Sequence, residues 1–225
     1  IKNSVYLLKY DSIYGRFKGN FSSNRNNMII NDRKVKIYSE LNSLSVPWEK
    51  HNVDVIIDAT GVRENVEGAH LLIKTRVPKV IITHSPPQNI DYYMILGVNE
   101  DQYDYKKHNV ISSSICDATA ITPLLVELDN KWGIENCFIT TLHPWLSYQN
   151  LVDGSLKSVS NPGHFWEDYS LGRNSTLSLI PKDTTAGSAI IRVAPQLDRK
   201  LDSVSFRVPT SIVSASDMTV QVSEA

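Results

Sequence analysis

Cys116 and His143 are the two residues whose types could carry nucleophilic acyl chemistry. Cys116 follows a predicted strand and precedes an apolar helical pattern, which predicts a thiol at a helix N-terminus. The positive end of a helix dipole favours the thiolate, the nucleophilic form of cysteine. His143 ends a predicted strand, where it could act as the base. Taken singly, such a cysteine is more often a buried small hydrophobe and such a histidine more often structural, and their separation along the chain leaves contact between them open.

Arg207 is a third candidate, because it lies within an apolar strand pattern, Phe206-Arg207-Val208-Pro209. A guanidinium flanked by core residues requires an anionic partner. The sequence leaves two partners open: the carboxylate of a structural ion pair, or an anionic group on a substrate.

The first half of the chain has the pattern of an α/β fold. Apolar runs at 53–61, 79–83 and 110–112 predict strands, and helical spacing predicts a helix over 64–74. A strand, a helix and a second strand within about 30 residues form a βαβ unit, which predicts a parallel sheet. A second helix is predicted over 117–131, beginning near Ala120 so that Pro123 falls in its first turn.

The second half is rich in short strands and polar connections. Val, Ile, Thr and Ser predict strands at 134–142, 189–193, 203–209 and 213–222. A polar stretch at about 153–178 predicts a long loop that is functional or disordered. We therefore expect an α/β part followed by an α+β part with a mainly antiparallel sheet.

Composition excludes several classes of protein. The net charge of −1 provides no electrostatic footprint for nucleic acid or an anionic membrane. No apolar run reaches the roughly 18 residues that a membrane helix needs. Two cysteines are too few for a disulfide framework, so we expect a reduced, cytoplasmic protein, and no spacing of ligands indicates a metal site.

Six segments, in order, resemble those of the glyceraldehyde-3-phosphate dehydrogenase family. They run nearly colinear from Leu7 to Val222, which makes the set far more specific than any one motif. The segments are 8–19 with Tyr10-Asp11-Ser12, 53–61 ending in Thr60-Gly61, 97–104, 112–123 around Cys116, 140–154 around His143, and 205–210 around Arg207.

The resemblance implies a division of the chain and a mechanism. Residues 1–115 would be the C-terminal part of a Rossmann-like dinucleotide-binding domain, and residues 116–225 an incomplete catalytic domain. Cys116 would attack a small aldehyde to form a thiohemiacetal, with His143 taking the proton and stabilising the oxyanion. Oxidation with NAD or NADP would then give a thioester, as in glycolysis.

The resemblance also implies binding residues and an assembly. Thr60 and Gly61 would lie in the cofactor loop, and Thr184 and Arg207 would bind substrate anions. The loop after Asp153 would reach a neighbouring subunit in a homotetramer. The Gly-rich turn and the acidic residue that distinguishes NAD from NADP are not in this sequence, so we expect a partial sequence of a longer protein.

Several residues depart from the family pattern at the phosphate positions. These are Ile115, Asp117, Ala118, Thr119, Leu146, Tyr148 and Thr185. Asp117 would repel phosphate and disfavour an adjacent thiolate. The pattern therefore predicts an altered aldehyde, with fewer phosphates or none, or a thioester cleaved by water. The alternative is a catalytically silent relative that serves as a binding or scaffold protein.

Overall fold

The structure, a computed structural model, describes residues 2–24, 26–75, 77–84, 90–113, 116–147, 149–154 and 169–223. The chain divides into two compact units, Ile1–Asn52 and Val53–Ala225. The predicted boundary between Ile115 and Cys116 falls inside the second unit, and it stays a prediction.

The first unit combines one helix with two small antiparallel sheets. Its elements are α1 (Lys2–Lys9), β1 (Tyr10–Asp11), β2 (Gly15–Arg16), β3 (Phe21–Asn24), β4 (Asn27–Ile30) and β5 (Arg33–Lys36). Strand β1 pairs with β2, and β3, β4 and β5 form a meander. Asn31 and Asp32 join β4 to β5 with φ of 47° and 67°. Asn and Asp tolerate this left-handed conformation, which two-residue hairpin turns require.

The second unit begins with a parallel sheet of four strands in the order β6-β7-β9-β8. The strands are β6 (Val55–Asp58), β7 (Lys79–Ile82), β8 (Tyr92–Tyr93) and β9 (Val110–Ser112), and α2 (Arg63–Lys74) connects β6 to β7. Asp58, Ile82 and Ser112 are register partners at the carboxyl ends of three strands. This arrangement confirms the predicted βαβ unit.

A second sheet of mixed pairing follows in the same unit, in the order β11-β12-β10-β13. Its strands are β10 (Ile134–Pro144), β11 (Ile180–Lys182), β12 (Leu201–Val208) and β13 (Ala215–Val222). The β10–β12 pair is parallel, while β10–β13 and β11–β12 are antiparallel. The expectation of an α/β protein with a mainly antiparallel second sheet is confirmed.

The core lies between two helices and the second sheet. These helices are α3 (Cys116–Trp132) and α4 (Ala186–Val193). Leu125 of α3, Ile190 of α4 and Ile139 of β10 have no exposed surface and belong to one apolar cluster. Burial of side chains of this size contributes about 1.5–3 kcal/mol each, so the two helices are held firmly against the second sheet.

Two predictions of local structure were wrong. The predicted strand at 189–193 is the second half of α4, whose buried residues Ala186, Ala189, Ile190 and Val193 follow helical spacing. A five-residue window rich in β-branched residues is too short to reveal that period. The helix expected to begin near Ala120 begins at Cys116 and continues through Pro123, because burial of its apolar face outweighs the hydrogen bond that proline cannot donate.

The predicted strands at 134–142, 203–209 and 213–222 are confirmed as β10, β12 and β13, whereas the predicted long loop is tested over only part of its length. Much of the predicted loop at 153–178 falls at 155–168, outside the described residues; of the rest, Tyr169–Gly172 forms a 3-10 turn. Within the described ranges, no helix combines the length and the apolar character needed to cross a membrane.

Candidate active site

Cys116 is the first residue of α3, four residues before the predicted start of the helix, and its side chain is exposed. Its φ is +40°, in the left-handed region that side chains other than glycine rarely adopt. Such a conformation costs of order 1–2 kcal/mol and is concentrated at functional sites. The thiol therefore has the access and the helix N-terminal position of a nucleophile.

His143 lies near the end of β10, and Asp117 holds its ring. His143 Nε2 is 3.0 Å from Asp117 Oδ2, and the two side chains are only 17% and 15% exposed. An ionised carboxylate can only accept, so Nε2–H is the donor. Among the described residues, no hydrogen bond joins His143 to Cys116. The sequence indicated Asp117 only as a repulsive charge and gave no sign of this contact.

One cavity brings together the four residues predicted to carry catalysis and substrate binding. It has a volume of about 210 Å³, and it is lined by Cys116, Asp117, His143, Lys182, Asp183, Thr184, Thr185, Ala186, Ala189, Ser205 and Arg207. The volume lies below the usual range for drug-sized ligands, about 300–1,000 Å³, so the cavity suits a small molecule.

The register of the second sheet explains how the cavity wall is assembled. His143 and Arg207 are partners in the parallel β10–β12 pair, and Ser205 and Lys182 are partners in the antiparallel β11–β12 pair. Residues that alternate along a strand share a face, which places Ser205 and Arg207 on the same wall. That alternation was visible in the sequence and could have identified Ser205; Lys182 carried no signal until β11 was known.

Two positively charged side chains, those of Arg207 and Lys182, line the cavity. The Arg207 guanidinium donates to the Pro144 carbonyl at 3.2 Å. In the part of the chain that the structure describes, neither Arg207 nor Lys182 forms a salt bridge with a carboxylate. Of the two partners left open for Arg207, this favours a bound anion over a structural ion pair. Thr184 adds a hydroxyl at the start of α4, where its Oγ1 accepts from Ala186 N at 3.1 Å.

Thr60 and Gly61 lie just beyond the carboxyl edge of the parallel sheet. Asp58 Oδ1 accepts from Thr60 N at 2.9 Å and from Thr60 Oγ1 at 2.6 Å, which fixes the loop. Strand β9 ends at the same edge, at Ser112, four positions before Cys116. The predicted cofactor loop and the predicted nucleophile therefore both follow the edge where α/β folds place their ligands.

The two cysteines have opposite environments, which predicts selective alkylation. Cys137 is 3% exposed, and burial raises the pKa of its thiol, so little thiolate forms there at neutral pH. We expect iodoacetamide to modify Cys116 at least about a hundredfold faster than Cys137. Peptide mass spectrometry over a time course measures both rates. Equal rates in the folded protein would argue against a reactive Cys116.

Comparison with known proteins gives matches along nearly the whole chain. Residues 1–66 match the family model described as glyceraldehyde 3-phosphate dehydrogenase, NAD binding domain. Residues 115–225 match the model described as glyceraldehyde 3-phosphate dehydrogenase, C-terminal domain.

Individual relatives agree with these models. Glyceraldehyde-3-phosphate dehydrogenase 1 of Kluyveromyces marxianus is 35% identical over 99% of this chain and 64% of its own length. Glyceraldehyde-3-phosphate dehydrogenase of Wickerhamomyces ciferrii is 37% identical over 96% of this chain and 61% of its own length. Glyceraldehyde-3-phosphate dehydrogenase 2 of Streptomyces avermitilis is 35% identical over 98% and 62%. The chain thus spans less than two thirds of the length of these relatives.

Proposed function

Because this chain belongs to the glyceraldehyde-3-phosphate dehydrogenase family, we propose that it carries the catalytic site of an NAD(P)-dependent aldehyde dehydrogenase. One observation supports this most directly: Cys116, His143, Thr184 and Arg207 line the same small cavity. A nucleophile, a base and anion-binding groups around one space are the parts that covalent aldehyde oxidation requires.

The chemistry divides between Cys116 and His143. The Cys116 thiolate attacks the aldehyde carbon to form a thiohemiacetal oxyanion, and this oxyanion becomes a thioester as its C=O bond forms and hydride leaves the carbon. His143 takes the thiol proton with Nδ1, because Asp117 occupies Nε2. NAD(P), when bound, supplies the hydride acceptor.

The loop after β6 fits a dinucleotide. Gly61 has a φ of +68°, and a Cβ placed there would find no neighbouring atom within 4 Å, so the backbone faces open space. Thr60 is exposed beside it, and the carboxylate of the buried Asp58 fixes its position. Thr60 and Gly61 would hold the cofactor, in keeping with the match to an NAD binding domain.

A valine at position 61 is expected to weaken cofactor binding. Gly61→Val places a β-branched side chain in the open space and strains the backbone, so the Kd for NAD or NADP should rise at least about tenfold. Quenching of tryptophan fluorescence during titration measures binding without turnover.

Gly97→Val is the matched control, because Gly97 also has a positive φ, +82°, and open space at its Cβ position. We expect a similar loss of stability from this variant but an unchanged Kd. If both variants bound the cofactor as the wild type does, Gly61 would not lie in the cofactor site.

The cavity also constrains the substrate. Arg207 and Lys182 favour an aldehyde with an anionic group, and the volume of about 210 Å³ favours a short one. Asp117 and Asp183, which also line the cavity, disfavour a second phosphate. A short aldehyde with a single anionic group therefore fits best.

The proposal is tested by the formation of NAD(P)H, followed by its absorbance. The purified protein is assayed with glyceraldehyde 3-phosphate, erythrose 4-phosphate and unphosphorylated aldehydes, with and without inorganic phosphate. Turnover of any aldehyde supports a dehydrogenase, and the pattern identifies the substrate class. No turnover together with an unreactive Cys116 would favour a catalytically silent relative.

The assembly and the location of the protein are further parts of the proposal. A homotetramer in the cytoplasm follows from the family resemblance. Light scattering on a size-exclusion column measures the mass, and a monomer at assay concentration would count against a tetramer.

A further inference from the structure

Asp117 leaves His143 with one free nitrogen. The carboxylate engages Nε2 at 3.0 Å, and both side chains are about five-sixths buried (17% and 15% exposed), so bulk solvent screens the contact weakly. In the described part of the chain, Nδ1 makes no hydrogen bond to protein. A carboxylate that accepts from one imidazole nitrogen fixes the orientation and the tautomer of the ring, which leaves the other nitrogen as the acceptor.

The same carboxylate lies in the cavity beside the predicted nucleophile. Asp117 follows Cys116 directly in the chain and lines the cavity with it. A phosphate dianion approaching an acyl group on Cys116 would be repelled by this carboxylate, whereas a neutral water would not. Lys182 and Arg207 are the cations of the cavity wall, and Asp183 is its other anion.

We propose that Asp117 is a positioning residue that selects water as the acyl acceptor, through His143. This inference rests on the proposed function in one respect, the acyl-enzyme at Cys116. Water oxygen attacks the thioester carbon while His143 Nδ1 takes one proton from the water. The carbon–sulfur bond then breaks, and the electron pair leaves with the Cys116 sulfur. The products are a carboxylic acid, which ionises, and a thiol that regains its proton from the imidazolium.

The test forms the acyl-enzyme without cofactor or aldehyde. The activated ester p-nitrophenyl acetate acylates a reactive thiol and releases p-nitrophenolate in a burst, and the following steady phase measures deacylation. For the wild type, we expect deacylation to be unchanged by inorganic phosphate up to about 50 mM, and the product to be acetate that takes oxygen from ¹⁸O-labelled water.

Asp117→Asn removes the charge and keeps the shape. We expect the rate of deacylation by water to fall at least about tenfold, with the burst retained. We also expect phosphate to accelerate deacylation and acetyl phosphate to appear as a product. A purely structural role would not exchange the acceptor in this way.

Asp202→Asn is the matched control, because Asp202 is an exposed carboxylate on β12 that does not line the cavity. It should deacylate at the wild-type rate. The inference is overturned if Asp117→Asn deacylates like the wild type, or if phosphate accelerates the wild type. The measurement of wild-type deacylation with and without inorganic phosphate needs no variant. It therefore tests the inference even if Asp117→Asn fails to fold.

The two proposals fail separately. A protein that oxidises aldehydes but forms an acyl phosphate retains the proposed function and loses this inference. A protein whose acylated Cys116 is hydrolysed with help from Asp117, but which oxidises none of the aldehydes, loses the dehydrogenase assignment alone.

Discussion

Cys116→Ser is expected to lower kcat for aldehyde oxidation by at least about a thousandfold, because a serine hydroxyl supplies almost no anionic nucleophile at neutral pH. A thousandfold loss corresponds to about 4 kcal/mol of transition-state stabilisation. The rate of NAD(P)H formation at saturating aldehyde measures it.

Cys137→Ser is the control for this experiment, since it makes the same change at the other cysteine. Cys137 is buried on β10 and does not line the cavity. We expect its kcat to stay within about threefold of the wild type. A Cys116→Ser variant that kept a tenth of the wild-type rate would rule out covalent catalysis by this residue.

Arg207→Leu is expected to lower kcat/KM for an anionic aldehyde by about a hundredfold, or about 2.7 kcal/mol. The guanidinium pairs with no carboxylate in the described residues, so its charge is available to the substrate. Lys182→Met should have a smaller effect, about tenfold, because its ammonium has more freedom to adjust. Initial rates over a range of aldehyde concentrations give kcat/KM for both variants.

An uncharged aldehyde of similar length separates binding of the anion from general damage. Arg207→Leu should process it within about threefold of the wild type. Arg33 is an exposed arginine on β5 in the first unit, so Arg33→Leu controls for the loss of a positive charge. This variant should leave kcat/KM unchanged for both aldehydes. Equal losses on the two aldehydes would show that Arg207 supports the cavity wall and does not bind the anion.

Sequence patterns predicted the parallel sheet and the members of the site more completely than they predicted local detail. The run at 53–61 contains β6, in which Ile56 and Asp58 are buried while Val55 and Ile57 are exposed, and apolar runs of this kind are visible in one sequence. Cys116, His143 and Arg207 were found because each lies in a segment that resembles one family, and Thr184 because the resemblance implies an anion-binding residue at that position. Their assembly around one cavity required the register of β10, β11 and β12, which no pattern provides.

The contact between Asp117 and His143 lay beyond sequence reasoning for a different reason. In the sequence, a carboxylate next to a nucleophilic cysteine indicates only an unfavourable interaction, since like charges disfavour the thiolate. Only the three-dimensional position of β10 relative to the start of α3 shows that the carboxylate is directed to the imidazole. The segment 189–193 was predicted as a strand because the helical spacing of its apolar residues is recognisable only over the eight residues of α4 and not over five.

The pairing of β10 also determines how mobile the backbone is at His143. Strand β10 pairs with β13 from Ile134 to Leu142, but its pairing with β12 continues to Pro144. The amide hydrogens in the middle of β10 are therefore expected to exchange with solvent only when the whole unit unfolds, whereas those from His143 onward are released by smaller openings. His143 thus lies one residue past the most slowly exchanging part of the strand, where the paired middle of β10 supports its backbone and Asp117 holds its ring.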